Sequence, residues 1–190
     1  MPIRVIRFAD YVETPWKNGG GVTHEIARSD ERGEPEWRIS LATIDRDGPF
    51  SDFTGYDRTI VPLDGNGFDL SFDDGTVATL DRACVPFRFA GERKVECRLL
   101  RGRSHDLNAL TLRTRWQHEI LVLALSPSPA VVELPAPSFV FFTGAATAVC
   151  GHAIVDVHRR DTVAVDEPVR LELRAASEAF ALTIRFTRRA

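Results

Sequence analysis

Nearly every patterned segment of this chain alternates apolar and polar residues with a period of two, and none sustains a helical stripe beyond a turn or two. Alternation sends successive side chains to opposite faces, so such segments bury their apolar residues by joining a sheet. The pattern predicts strands over Val22–Arg28, Trp37–Ile44, Thr59–Leu63, Phe68–Phe72, Val95–Leu100, Leu107–Arg113 and Glu119–Leu125. It continues with Phe139–Phe142, Ala153–His158, Val169–Leu173 and Phe180–Phe186, leaving Phe8–Val12 as a short helical turn. Many short strands between Gly, Asp and Pro turns indicate an all-β sandwich or barrel.

A chain of 190 residues makes one large domain or two small fused ones, and can bury about 70% of its unfolded surface without staples. A weak internal echo points to two related β-halves. Thr76-Val77-Ala78 precedes Pro86-Phe87-Arg88-Phe89, as Thr162-Val163-Ala164 precedes Pro168-Val169-Arg170-Leu171. The halves would join near Ser126-Pro127-Ser128-Pro129 or somewhat earlier. Prolines cannot donate to a ladder, so that stretch and Pro135-Ala136-Pro137 are expected as connections or edges.

Charge and cysteine usage exclude several classes. A net charge of −3 with both signs spread along the chain offers no basic face for nucleic acid. Cys84, Cys97 and Cys150 are odd in number and lack C-x-x-C spacing, which fits buried thiols in a reducing compartment. Arg4, Arg7 and Asp10 interrupt the N-terminus, and the longest aliphatic run is Ile120–Leu125. A bilayer span needs about 20 apolar residues. The expectation is a cytoplasmic protein with no membrane partner.

Chemistry concentrates in three segments. Trp16-Lys17-Asn18-Gly19-Gly20-Gly21 runs into the strand from Val22. Successive glycines can turn their amides inward as an anion-binding nest, with Lys17 as a mobile charge and Trp16 as an apolar wall. A bend that merely turns the backbone is the alternative. Next, Trp37–Ile44 is apolar on both faces, which places Arg38 and Ser40 in half-buried surroundings. If Val22–Arg28 pairs with it across Ser29-Asp30-Glu31-Arg32-Gly33, Glu25 can face Arg38. That pair is either a structural salt bridge or a device that aims the guanidinium at a ligand carboxylate.

The lip Gly48–Arg58, with Phe50, Phe53 and Tyr56, suits the rim of a small-ligand pocket or a plain anchored loop. In the third segment, Asp106 and Asn108 share one strand face about 6.6 Å apart. They can read a ligand nitrogen, or end a loop by bonding their own backbone.

Taken in order, these pieces resemble the HutD/Ves family, associated with bacterial histidine-utilisation operons. The resemblance rests on Pro15-Trp16-Lys17-Asn18-Gly19-Gly20-Gly21 with Thr23 and Glu25-Ile26, then Trp37-Arg38-Ile39-Ser40. Asp47-Gly48-Pro49-Phe50-Ser51-Asp52-Phe53, Gly55, Asp57-Arg58 and Asp106-Leu107-Asn108 complete it. It covers about the first 110 residues; Leu107 and Ala109 depart from the family pattern, where an aromatic and a larger apolar group are frequent. It implies a cupin-type double-stranded β-helix with two cupin-like units, a bicupin, in a single HutD-like domain over 1–190. The halves would be 1–110, carrying the pocket, and 111–190. The implied ligand-binding residues are Lys17, Asn18, Gly19, Gly20, Gly21, Glu25, Arg38, Ser40, Arg58, Asp106 and Asn108.

The resemblance also implies a binding protein with a regulatory or buffering role. Its ligand would be a small anionic amino-acid derivative of histidine catabolism, such as formylglutamate or urocanate. No cofactor and no metal are expected: His24, His105, His118, His152 and His158 contain no H-x-H of the kind seen in cupin metal sites. His152 and His158 would lie about 20 Å apart on one straight strand, too far to share an ion. A metal-dependent or metal-free cupin enzyme acting on a small carboxylate is the alternative. Edge strands of an open sandwich can pair with another copy, which makes a homodimer the expected assembly if one forms.

Overall fold

The computed structural model describes residues 2–30 and 33–190, among which nineteen strands and a single 3-10 turn (Phe8–Asp10) account for the regular structure. The chain opens with β1 (Ile3–Ile6), β2 (Val12–Pro15), β3 (Gly21–Arg28), β4 (Trp37–Ile44) and β5 (Gly48–Pro49). It continues with β6 (Tyr56–Gly65), β7 (Phe68–Phe72), β8 (Val77–Leu80), β9 (Phe87–Ala90), β10 (Val95–Leu99) and β11 (Ser104–Leu112). The remainder is β12 (Trp116–Leu125), β13 (Ala130–Leu134), β14 (Ser138–Phe142), β15 (Ala146–Cys150), β16 (Ala153–Val157), β17 (Thr162–Val165), β18 (Val169–Arg174) and β19 (Ala179–Arg188). Every strand predicted from alternation is present. Several short or exposed ones, such as β2, carry no such pattern and escaped it.

The chain divides into two compact units. One holds Val12–Gln117 and Arg188–Ala190; the other holds the chain up to Tyr11 and His118–Thr187. The division therefore falls inside β12, with the amino-terminal strand assigned to the carboxy-terminal unit, rather than near residue 110. Ser126-Pro127-Ser128-Pro129 is a connection within one unit, between β12 and β13.

The first unit contains a six-stranded sheet, β2-β3-β4-β11-β6-β9, and a four-stranded sheet, β5-β10-β7-β8. The second contains a five-stranded sheet, β1-β17-β14-β19-β12, and a four-stranded sheet, β13-β18-β15-β16. Adding eight to each label of β4-β11-β6-β9 and β5-β10-β7-β8 reproduces the strand order of the second unit. The halves thus share one topology. The sequence echo does not mark it, because β9 corresponds to β17, whereas the echo matched Phe87 with Val169 on β18.

Local chemistry fixes the details that position side chains. Gly65 and Gly67 both have positive φ, +85° and +77°, and make the tight turn between β6 and β7. The β11–β6 register shifts between His105 and Asp106, which brings Pro62 opposite Asp106. Proline has no N–H for the ladder, so an irregularity beside it removes a bond that could not form. In the hairpin from β3 to β4, Glu31 and Arg32 of the expected connection lie outside the described residues.

Candidate functional site

Strand register in the six-stranded sheet determines which side chains share a face. Thr23, Ala42, Asp106 and Pro62 form one cross-strand row on β3, β4, β11 and β6. Glu25, Ser40, Asn108 and Ile60 form the next. Arg28, Arg38, Leu110, Arg58 and Phe89 form a third, ending on β9. Glu25, Arg38, Ser40, Arg58, Asp106 and Asn108, singled out from the sequence, therefore share one face. The alternate residues Ile39, Leu41, Val61, Leu107 and Ala109 supply a fully buried apolar face opposite.

The polar face is organised around Arg58. Its Nε and Nη2 both donate to Asn108 Oδ1, at 3.0 and 2.7 Å. Its guanidinium lies 4.8 Å from the Phe50 ring centre, 5.4 Å from Phe89 and 5.5 Å from Phe53. Stacking on ring faces suits a cation stripped of water. Burial holds the Arg58 pKa down to about 10, against the opposing charge of Asp106, so the group stays cationic at neutral pH.

Asn108 in turn donates its Nδ2 to Asp106 Oδ1. Both hydrogen-bonding ends of Asn108 are thereby engaged, which makes it a positioning residue instead of a reader of ligand. Asp106 is 1% exposed, and its Oδ2 has no hydrogen-bond partner. Burial raises its pKa to about 7, while Arg58 and the Asn108 bond pull it down.

Arg38 is half-buried, and its Nε is buried without a hydrogen-bond partner. Its guanidinium packs 5.4 Å from the centre of the Phe53 ring, so one ring borders both arginines. Burial pulls its pKa below the usual arginine range, with Glu25 opposing. The expected Glu25–Arg38 ion pair is not what forms. The register pairs Glu25 with Ser40, and the bulge between Glu25 and Ala27 then brings Arg28 opposite Arg38, with the Glu25 carboxylate 3.8 Å from Arg28. A bulge is invisible to strict alternation, so the shift could not be read from the sequence.

The glycine-rich segment is a turn between β2 and β3, not a nest. The Gly19 amide donates to Trp16 O and the Gly20 amide to Asn18 Oδ1, so two of the proposed anion donors are already used. Gly19 has φ +68°, and a Cβ on Gly21 would sit 2.2 Å from Thr43 O, which explains the need for glycine at both. Lys17, Asn18 and Gly19 are exposed; Gly20 and Gly21 are buried. The turn still borders the site through Trp16, which donates to Thr23 Oγ1 at 2.8 Å and meets the Phe50 ring edge-on.

Phe89, Leu110 and Arg28 border the same face and were missed. Alternation puts Phe87 and Phe89 on one side of a short strand, but nothing in the sequence announces that β9 lies beside β6. A shallow groove of about 330 Å³ lined by Phe50, Phe72, Arg93, Lys94 and Glu96 belongs to the four-stranded sheet and touches neither arginine of the site. Cupin-type metal sites need clustered His and acidic ligands. Here the inward polar groups include two guanidiniums, and among the described residues no three His, Cys, Asp or Glu are grouped to hold an ion. The donor set does not fit a metal.

Comparison with known proteins fits this geometry. A family model described as HutD matches residues 8–183. An uncharacterised 21.2 kDa protein in the hutC 3′ region of Pseudomonas putida is 39% identical over 120 residues, 60% of this chain and 61% of that protein. The match thus spans less than two thirds of that curated relative. Solved structures extend it. A conserved protein of unknown function from Pseudomonas aeruginosa PAO1 superposes with a TM-score of 0.89 at 28% identity, covering 97% of this chain and 98% of that one. HutD from Pseudomonas fluorescens SBW25 gives 0.81 at 29%, covering 99% and 100%. A cupin 2 conserved barrel domain protein from Leptotrichia buccalis, 11% identical with a TM-score of 0.60 over 98% of this chain and 96% of that one, shares the fold alone, so the architecture is cupin-type. With its model match running through both β-units, this chain belongs to the HutD family.

Proposed function

We propose that this protein binds a small anionic amino-acid derivative of histidine breakdown, of the formylglutamate or urocanate class, with a regulatory or buffering role in the cytoplasm. In this reading it is a bicupin in which only the first unit carries a ligand site. The observation that carries the proposal is Arg38. A half-buried guanidinium with a buried, partnerless Nε, on the same face as a fixed Arg58 and a buried Asp106, needs an acceptor. A ligand carboxylate supplies it, since guanidinium–carboxylate contacts are charge-assisted and geometrically matched. The relatives named for HutD and for the hutC 3′ region support a histidine-related ligand.

A charge-assisted hydrogen bond in a shielded site contributes about 1.5–3 kcal/mol. Two such contacts and the Phe50–Phe53 wall are enough for micromolar binding, about −8 kcal/mol after ordering costs. Arg38→Ala is expected to weaken binding at least about tenfold while the protein stays folded. Calorimetric titration of formylglutamate and urocanate into both forms tests this; equal affinities, or no binding by the unmodified protein, refute it.

One observation favours a metal-free enzyme as the second reading. The buried, partnerless Oδ2 of Asp106, on a carboxyl whose pKa burial raises to about 7, suits a general acid or base. Mass spectrometry of each ligand after prolonged incubation separates the two, and any conversion lost in Asp106→Asn would install the enzyme in place of the binding protein.

A further inference from the structure

We propose that Asp106 engages the ligand as a carboxylic acid, donating its proton to a ligand carboxylate oxygen, so that binding takes up one proton from solvent. This deepens the binding reading above and rests on it.

The surroundings of Asp106 are those of a neutral acid. An ionised carboxylate can accept about four hydrogen bonds. Asp106 accepts one, from Asn108 Nδ2, and its Oδ2 is buried without a partner. Its row mates make no hydrogen bond to Oδ2: Ala42 is apolar, Pro62 lacks an N–H, and the Thr23 hydroxyl, which accepts from the Trp16 indole, does not bond it. The charged and titratable groups that reach it come from two neighbouring strands. Arg58 on β6 favours the ionised form, but turns its Nε and Nη2 to Asn108. Cys97 on β10 is neutral, its thiol pushed up to about 12 by burial, with Asp106 itself contributing. Arg38 on β4 and Glu25 on β3 lie further along the same face.

Burial, opposed by Arg58 and the Asn108 bond, raises the pKa to about 7, so both forms of the carboxyl group are accessible near neutral pH. An arriving carboxylate brings a second negative charge towards Arg58 and Asp106. Two carboxylates at one site cannot both stay ionised, so the buried one retains or captures a proton. The proton comes from solvent, no covalent bond of the ligand changes, and the resulting O–H···O⁻ bond is of the strong, charge-assisted kind. An elongated dianion such as formylglutamate could then span from this acid to Arg38. Asp106 lies four residues from Leu110, the cross-strand partner of Arg38, which is about 13 Å along the strand.

The test is titration calorimetry of formylglutamate at pH 6, 7 and 8, each in two buffers of different ionisation enthalpy. Formylglutamate suits because carboxyls with ordinary pKa values near 4 do not titrate in this range. The expected result is proton uptake rising from near zero at pH 6 towards one at pH 8, with affinity falling up to about tenfold per pH unit above 7. Asp106→Asn copies the protonated form, since its Oδ1 can accept from Asn108 while its Nδ2 donates to ligand. That variant should bind without uptake and with pH-independent affinity. Binding by the unmodified protein with no buffer dependence at pH 8 overturns the proton linkage and leaves the binding reading standing. Uptake that persists unchanged in Asp106→Asn overturns it too, and failure of formylglutamate to bind at any pH overturns both.

Discussion

The two β-units repeat one strand order yet differ in what their interiors hold. On β6 and β11 of the first unit, the inward residues are Arg58, Ile60 and Pro62 against Leu110, Asn108 and Asp106. On the corresponding β14 and β19 of the second, they are Ser138, Val140 and Phe142 against Arg185, Thr183 and Ala181. Of the second set, Val140, Phe142 and Ala181 belong to a continuous apolar core with Val163, Val165, Leu171 and Leu173, beside the polar Ser138, Thr183 and Arg185. The first unit's apolar cluster, Phe68, Leu70, Phe72 and Cys97 on the four-stranded sheet with Ile44, Ile60 and Phe89 on the six-stranded one, adjoins the linked Arg58, Asn108 and Asp106. One strand order therefore carries a larger apolar core in one unit and a buried, hydrogen-bonded Arg58–Asn108–Asp106 row in the other. Topology fixes where an inward row lies; only residue identity decides whether that row binds anything.

The sharpest way to break this comparison is to remove the group that makes the first interior tolerable to charge. Arg58→Ala leaves Asp106 without its cation and Asn108 Oδ1 without its donors. Breaking a buried charge pair costs about 3–5 kcal/mol. That loss is expected at pH 8 and should shrink below pH 6, where Asp106 can escape by protonation. Tryptophan fluorescence during urea unfolding is suited to the measurement, because Trp16, Trp37 and Trp116 all belong to the first unit. A variant as stable as the parent at pH 8 would mean that the arginine is not structural, and the contrast between the interiors would lose its basis.

A smaller effect follows from Asp106 itself. Its pKa of about 7 in the folded protein lies above the ordinary value near 4 expected of the unfolded chain. Between those values the native state holds the extra proton, so stability falls as pH rises across the window. The contribution is fully present below about pH 4 and lost above about pH 7, on the order of a few kcal/mol. Asp106→Asn should remove it, so the difference in melting temperature between parent and variant should grow from pH 5 to pH 8 in favour of the variant. On β19, the strand corresponding to β11, the second unit has the non-titrating Ala181 opposite Phe142.

Legibility in the sequence followed the same divide between local and distant information. The limits of β4 and β7 were readable because Trp37–Ile44 and Phe68–Phe72 alternate cleanly between turn residues. Arg38 and Ser40 could be placed on one face, and Asp106 with Asn108, because parity along a strand is a local property. That all of them face the same interior needed the pairing of β4 with β11 and of β11 with β6, contacts between residues far apart in the chain. Bulges were opaque for the same reason: the one after Glu25 brought Arg28 opposite Arg38. The triglycine was noticed correctly and misassigned, since composition reveals that a glycine is required but not whether a ligand or the strand backbone is what approaches it. Two related halves were suspected from a motif echo; the strand orders do correspond, but at strands other than those the echo matched.

The smallest predicted effect tests whether the second interior is truly a packing core. Ser138 is fully buried, and its Oγ has no hydrogen-bond partner; it faces Arg185, whose Nε also lacks one. An unsatisfied buried hydroxyl is a cost, and its removal with little change of shape can be nearly neutral or stabilising. Ser138→Ala is therefore expected to leave stability unchanged or raise it by about 1 kcal/mol at most. It should also leave formylglutamate affinity untouched, whereas Arg38→Ala does not. Differential scanning calorimetry and the ligand titration together check both halves of the expectation. A substantial loss of stability would show that the hydroxyl bonds something, an ordered water or an anion bridging to Arg185. The second unit would then hold a polar seat of its own, and the division of labour between the two copies would be one of degree.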